Sequence, residues 1–133
     1  MTLAVSGDLD NHKWDPTGGV EGWFTLYYME DGTKYLVTKV SGTWLIHDSG
    51  DSIKDRTAIA VCNDKFFSNQ YMSKSVSTNS FNIPTGFTRY ADSTQGIVGI
   101  AGKSVCTIYR TQQPGTTWKL EVPIIIAGSI PTI

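Results

Sequence analysis

The sequence predicts an all-β fold, an antiparallel β-sandwich or a jelly-roll or barrel-like domain with about nine or ten short strands. Three observations carry that expectation. No segment sustains the 3.6-residue apolar period of an amphipathic helix over ten or more residues. Short runs rich in β-branched and aromatic residues recur along the chain, and Gly, Pro, Asp and Ser punctuate them roughly every 8–12 residues. The 133 residues suit one domain, 1–133, without linker, low-complexity tract or internal repeat.

Residues 3–5 read as a short first strand, and "SGDLDNHKWDPTGG" as a polar loop after it. Residues 23–29 and 34–40 form a hairpin around Asp31-Gly32, the dipeptide favoured in a type I′ turn, which needs positive φ at both central residues. That turn sets Tyr28 opposite Tyr35 and Leu26 opposite Val37. Phe24, Leu26, Tyr28, Tyr35 and Val37 then share one face; Trp23, Tyr27, Met29, Leu36 and Val40 share the other. A ribbon with one solvated face should alternate cleanly, and this one does not. Residues 44–47 make a further strand, "SGDSIKDR" a polar loop, and "TAIAVC" (57–62) a buried strand. The segment 63–80 fits one helical turn or an edge strand. Residues 81–83 and 87–90 flank a Pro84-Thr85-Gly86 turn. Strands at 97–101, 104–110 and 118–122 are joined by "GK" and "TQQPGT".

Charged residues make up 17 % of the chain, below the roughly 25 % of an average globular protein. The net charge of −1 argues against a dedicated nucleic-acid binder, which needs clustered basic surface. Acids predominate in the first half and bases in the second, a dipolar arrangement suited to head-to-tail contacts. No stretch reaches the ~20 apolar residues of a membrane-spanning helix. "MTLAVSGDLD" lacks the basic start and long apolar run of a signal peptide, so cytoplasmic synthesis is expected. Cys62 and Cys106 are expected as buried thiols, with one bridge open in an oxidising space.

Three motifs invite chemistry. "GIAGKS" ends like a P-loop, but Ile97 stands where the first Gly belongs, and the β-branched run after it offers no helix N-terminus for phosphate. His47-Asp48-Ser49-Gly50-Asp51-Ser52 offers imidazole, carboxylate and hydroxyl, yet neighbours on a strand and its loop rarely adopt nucleophile–base–orienter geometry. A locally bonded Asx- and Ser-rich turn is the better reading, and no enzyme is expected. Asp8, Asp10 and Asp15 offer oxygen ligands to calcium, the one cofactor considered, although Lys13 occupies the EF-hand glycine position and His12 stands alone as a nitrogen ligand.

Two functions follow as expectations. The first is a non-enzymatic assembly subunit of virion, phage-tail or surface type. It would self-associate, or meet an assembly partner, through Trp23, Tyr27, Met29, Leu36 and Val40 with Ile124, Ile125 and Ile126 of the apolar tail. The alternative is a carbohydrate-binding, lectin-like domain. There Trp14 would stack on a sugar ring while Asp8, Asp10, Asn11 and Asp15 bond its hydroxyls.

Overall fold

A Gly-centred turn joins the two longest strands of the first sheet. The computed structural model describes residues 4–95, 98–110 and 116–129. β1 is Val5–Trp14, β2 Val20–Asp31, β3 Lys34–Ile46, β4 Asp51–Asn63 and β5 Tyr71–Ser75; β6 is Ser80–Pro84, β7 Ala91–Asp92, β8 Gly99–Arg110 and β9 Thr117–Gly128. These nine strands of the described residues form two antiparallel sheets, as in a β-sandwich. One is ordered β1-β2-β3-β6 with β7 also on β3, and the other β5-β4-β8-β9.

The β2–β3 hairpin is present, with its turn one residue further along than predicted. Asp31 pairs with Lys34, so Gly32 and Thr33 are the central residues. Only Gly32 has positive φ, at 63°; Asp31 does not. Gly at the first central position with an ordinary residue after it is the type II′ pattern rather than I′. Moving the turn by one residue shifts the pairing by two, so each residue near the turn keeps its predicted face. Tyr28 therefore pairs with Val37 rather than Tyr35, but the two tyrosine rings still meet edge-on across the diagonal, 5.5 Å between centroids.

Further from the turn a β-bulge changes the outcome. Tyr28 pairs with Val37 but Tyr27 with Lys39, which leaves Thr38 as the extra residue. The bulge is held by neighbours: Thr38 Oγ1 donates to the Tyr27 carbonyl at 3.3 Å, and Thr85 N to the Thr38 carbonyl at 3.0 Å. An extra residue flips the alternation beyond it. Val40 thus moves from the outer face, where the sequence placed it, into the core opposite Leu26.

Other strands are longer than predicted. Of the first predicted strand, residue 3 lies outside the described residues and Val5 begins β1. Residues 6–14, read as loop, continue it as an edge strand, whose odd positions Gly7, Leu9 and Asn11 pair with Tyr28, Leu26 and Phe24. "SGDSIKDR" belongs largely to β4, whose polar kink is a bulge at residues 55–56 with Asp55 in the left-handed region (φ 54°). Gly102-Lys103 is no turn but the middle of continuous β8. Gly is required there by close approach: a Cβ on Gly102 would lie 2.7 Å from Leu26 Cδ1 and 3.0 Å from Phe24 Cζ, both across the sandwich. Segment 63–80 contains the edge strand β5 and holds no helical turn, while residues 87–90 form no strand. Ile97 and most of "TQQPGT" lie outside the described residues.

The core between the sheets has two parts. The larger joins Phe24, Leu26, Val37 and Val40 to Ala58, Ala60, Cys62, Ile100, Val122 and Ile124; the smaller joins Val20 and Trp44 to Ile53, Cys106, Ile108 and Leu120. Phe81 touches both, packing its ring 5.4 Å from Trp44 and 6.4 Å from Phe24. On the second sheet, Ile59, Val61, Ala101 and Val105 alternate with these inward residues and are buried as well. No helix among the described residues is long and apolar enough to cross a membrane.

Both cysteines are free and buried. Burial pushes the Cys62 thiol up and the Cys106 thiol up to about 12, so thiolate, the reactive form, is scarce at neutral pH. Thiol reagents should label neither site in the native protein and both in denaturant; fast native labelling would contradict this packing. Gly32→Val should lower stability by about 1 kcal/mol or more, since a β-branched residue resists positive φ. The space around Gly32 is open, so urea melts would read a backbone cost alone.

Candidate functional site

The sequence-predicted residues separate once β1 is a strand. Side chains alternate across it, so Asp8, Asp10, His12 and Trp14 lie on the outer face of the first sheet, and Asn11 on the inner. Asn11 is spent structurally: its Nδ2 donates to the Pro123 carbonyl at 2.8 Å and ties the edge of the first sheet to β9. Asp15 is also spent. It is buried at the start of the β1–β2 turn, where its Oδ1 accepts from Val20 N at 2.9 Å and its Oδ2 from Thr17 Oγ1 at 2.6 Å. Burial raises its pKa, but the Thr17 hydroxyl and the N–H groups of Val20, Thr17 and Gly19 outweigh that, and the net shift is downward. Neither Asn11 nor Asp15 is thereby placed to bond a sugar. Among the described residues no three His, Cys, Asp or Glu side chains come together as metal ligands; the calcium set Asp8, Asp10 and Asp15 is split between the outer face and the turn interior.

The remaining residues form one aromatic and polar face. Register aligns Trp14 with Glu21 and Leu45, His12 with Trp23 and Thr43, Asp10 with Thr25 and Ser41, and Asp8 with Tyr27 and Lys39. His12 stacks on Trp23, 4.3 Å between ring centroids and 15° from parallel; Trp14 stacks on His47 at 4.8 Å. The Trp14 and Trp23 side chains remain open to solvent, at 49 % and 39 % exposure. Hydrogen bonds order the polar members. Thr25 Oγ1 donates to Asp10 Oδ1 at 2.8 Å, Thr43 and Ser80 share a bond at 2.9 Å, and His47 Nε2 lies 3.3 Å from Glu21 Oε1. Lys39 Nζ sits 4.2 Å from the centre of the Tyr27 ring.

Glu21, Thr25, Ser41 and Thr43 were absent from the predicted sites, and His12 was weighed only as a metal ligand. The signal was present: with β1 read as a strand, every second residue from Ser6 to Trp14 falls on one face.

The eight residues of the predicted assembly surface do not form one patch. Trp23, Tyr27, Met29 and Leu36 share the outer face of the first sheet. Val40 and Ile124 are inside the core, and Ile126 packs partly against it. Ile126 is the extra residue of a bulge opposite Ile100/Ala101. Ile125 is exposed, but it pairs with Ala101 on the outer face of the second sheet, across the sandwich from Trp23.

Residues 47–52 are spread by function of another kind. His47 serves the Trp14 stack, Asp48 Oδ1 accepts from Gly50 N at 2.9 Å, and buried Asp51 pairs with Arg110 at 2.7 Å. Arg110 also bonds Thr17 Oγ1 and lies 5.3 Å from the Trp118 ring. It walls an open groove of about 330 Å³ with Pro16, Thr116, Trp118 and Lys119, but its guanidinium braces the β1–β2 turn.

Comparison of the chain with family models, curated proteins and solved structures finds no match. The functional reading therefore rests on the site itself.

Asp15 makes the turn beside Trp14 acid-sensitive. Its folded pKa lies below the ordinary 3.8, so its stabilisation is complete above that value and is lost as pH falls through the folded pKa. Asp15→Asn should cost about 1–3 kcal/mol at pH 7, the usual penalty for stranding buried partners. The variant should also lose stability less steeply than wild type below about pH 4. Parallel urea melts at neutral and acid pH check both; equal slopes would show that the turn does not depend on the carboxylate.

Proposed function

We propose that the chain is a non-enzymatic carbohydrate-binding module, acting through the outer face of β1, β2 and β3. The observation that carries this reading is the exposed row of Trp14, His12 and Trp23 set directly beside Asp8, Asp10, Thr25 and Thr43. A pyranose has an apolar C–H face and an equatorial rim of hydroxyls. An indole supplies flat apolar area at small entropic cost, and carboxylates and hydroxyls at strand spacing supply oriented acceptors. A rigid sheet holds them without loop ordering.

Self-assembly through the same face is the second reading, favoured by Met29, Leu36 and Leu45 lying beside the indoles. Charge weighs against it. Strands of the first sheet carry six acids and three bases, whereas those of the second carry three acids and six bases. Two copies meeting by their first sheets would set Asp8, Asp10 and Glu21 against a like-charged surface. A sugar brings no such charge.

A glycan array at neutral pH tests the proposal. Wild type should bind a restricted set of neutral glycans, and Trp23→Ala should weaken binding roughly tenfold or more, as truncating a central aromatic usually does. Circular dichroism would confirm that the variant folds. No binding to any glycan, together with a solution mass that rises with concentration and falls in Tyr27→Lys/Leu36→Glu, would overturn it in favour of assembly.

A further inference from the structure

At the other end of the sandwich, the connection from β4 to β5 carries a feature that sugar binding does not use. Its sequence, "KFFSNQY", places three aromatic residues within seven. Phe66 is 66 % exposed, Phe67 38 % and Tyr71 46 %. This is not a loose loop. Asp64 is buried, and its Oδ1 accepts from Phe66 N at 2.8 Å and Phe67 N at 3.1 Å, while its Oδ2 accepts from Asp92 N at 2.8 Å. Burial raises the Asp64 pKa, yet these N–H groups hold it below the ordinary value, and it stays ionised.

Gln70 staples the other side. Its Nε2 donates to the carbonyls of Cys62 at 2.7 Å and Arg89 at 2.9 Å, and its Oε1 accepts from Thr88 N and Arg89 N, both at 3.0 Å. Two buried polar side chains thus fix a backbone that holds two phenyl rings in water. Single exposed apolar residues are ordinary; adjacent ones on a braced loop call for an occupant.

The charges beside the rings indicate which. Lys65 Nζ lies 5.5 Å from the Phe66 ring centre, and the Arg89 guanidinium 4.7 Å from that of Phe67. Of the nearby carboxylates, Asp64 is buried beneath the loop by its three N–H donors, and the half-buried Asp92 is taken up by the Thr33 hydroxyl and by the N–H and hydroxyl of Thr94. Residues 65–71 and 86–89 contain no acid. We propose that this tip docks on an anionic lipid bilayer, with Phe66 and Phe67 at the acyl–headgroup boundary and Lys65 and Arg89 against lipid phosphates. Aromatic rings flanked by cations match the polarity gradient of that boundary. Contact this small needs both parts, because neither a pair of rings nor a pair of cations alone anchors a protein firmly.

Vesicle co-sedimentation of the full chain tests this, using phosphatidylcholine vesicles with and without about one-third phosphatidylserine. Wild type should sediment with the mixed vesicles, far less with phosphatidylcholine alone, and be released by high salt. Phe66→Ser/Phe67→Ser should weaken binding about tenfold or more while leaving the circular dichroism and any glycan binding unchanged. Lys65→Ser/Arg89→Ser should abolish the preference for phosphatidylserine. Wild type remaining in the supernatant with both vesicles, or a serine double variant binding as well as wild type, would overturn the proposal. So would a phenylalanine variant whose only change is a smaller solution mass, which would make the tip a contact between copies.

Discussion

The two parts of the core are joined by a large ring filling the space above a glycine. Phe81 pairs with Gly42 across the β3–β6 ladder, and a Cβ on Gly42 would lie 2.7 Å from its ring. With that space free, Phe81 lies between Trp44 and Phe24 and links the two parts of the core. Interiors are packed as densely as organic crystals, so a side chain at residue 42 would move a ring on which both core regions rest. β6 is short and at the edge of its sheet, yet through Phe81 it supports the strands whose other side carries the exposed aromatic face. The inward side of β3 is spent on cohesion; the outward side is thereby free for recognition.

The two faces of the first sheet differ in chemistry because one bulge separates them. Before Thr38 the hairpin alternates Tyr35 and Val37 inward with Leu36 outward; after it, Val40 turns inward and Lys39 outward. Without the extra residue, Val40 would stand among Tyr27 and Met29, and the face would be an apolar band in need of cover. With it, a lysine stands over the Tyr27 ring, and the surface tolerates water. The same device explains how a ribbon so rich in aromatic residues meets solvent on one side.

Much of this was legible in the sequence. The fold class follows from turn spacing and the lack of helical period, and the inward set Phe24, Leu26 and Val37 follows from alternation alone. The rest was hidden for definite reasons. Periodicity cannot announce a bulge, so Val40 was assigned to the wrong side. Asp8, Asp10 and His12 look like loop residues because an edge strand with one open face and a wet rim need not be apolar. Gly102-Lys103 imitates a hairpin turn because sequence does not reveal that Leu26 and Phe24 press on that position from the opposite sheet. Asp15 looked like a free ligand carboxylate, and its role in bonding backbone N–H groups, like that of Asp64, appears only in three dimensions. The likeness of Asp31-Gly32 to a type I′ turn was real but locally ambiguous, since Gly-Thr serves a II′ turn as well.

The divided core also bears on how the protein breathes. The smaller cluster, around Trp44 and Ile108, lies under the end that carries Trp14 and His47, while the larger lies toward the end with Phe66 and Phe67. Proteins open in cooperative units, and such units follow lines where few side chains bridge. Here Phe81 and Val76 are the side chains that pack on both clusters. Slow amide exchange should therefore divide the molecule into two cooperative units along its length rather than between its sheets. Backbone amides near Val20 and Ile108, over the smaller cluster, should then open more readily than those of Leu26 and Ile100.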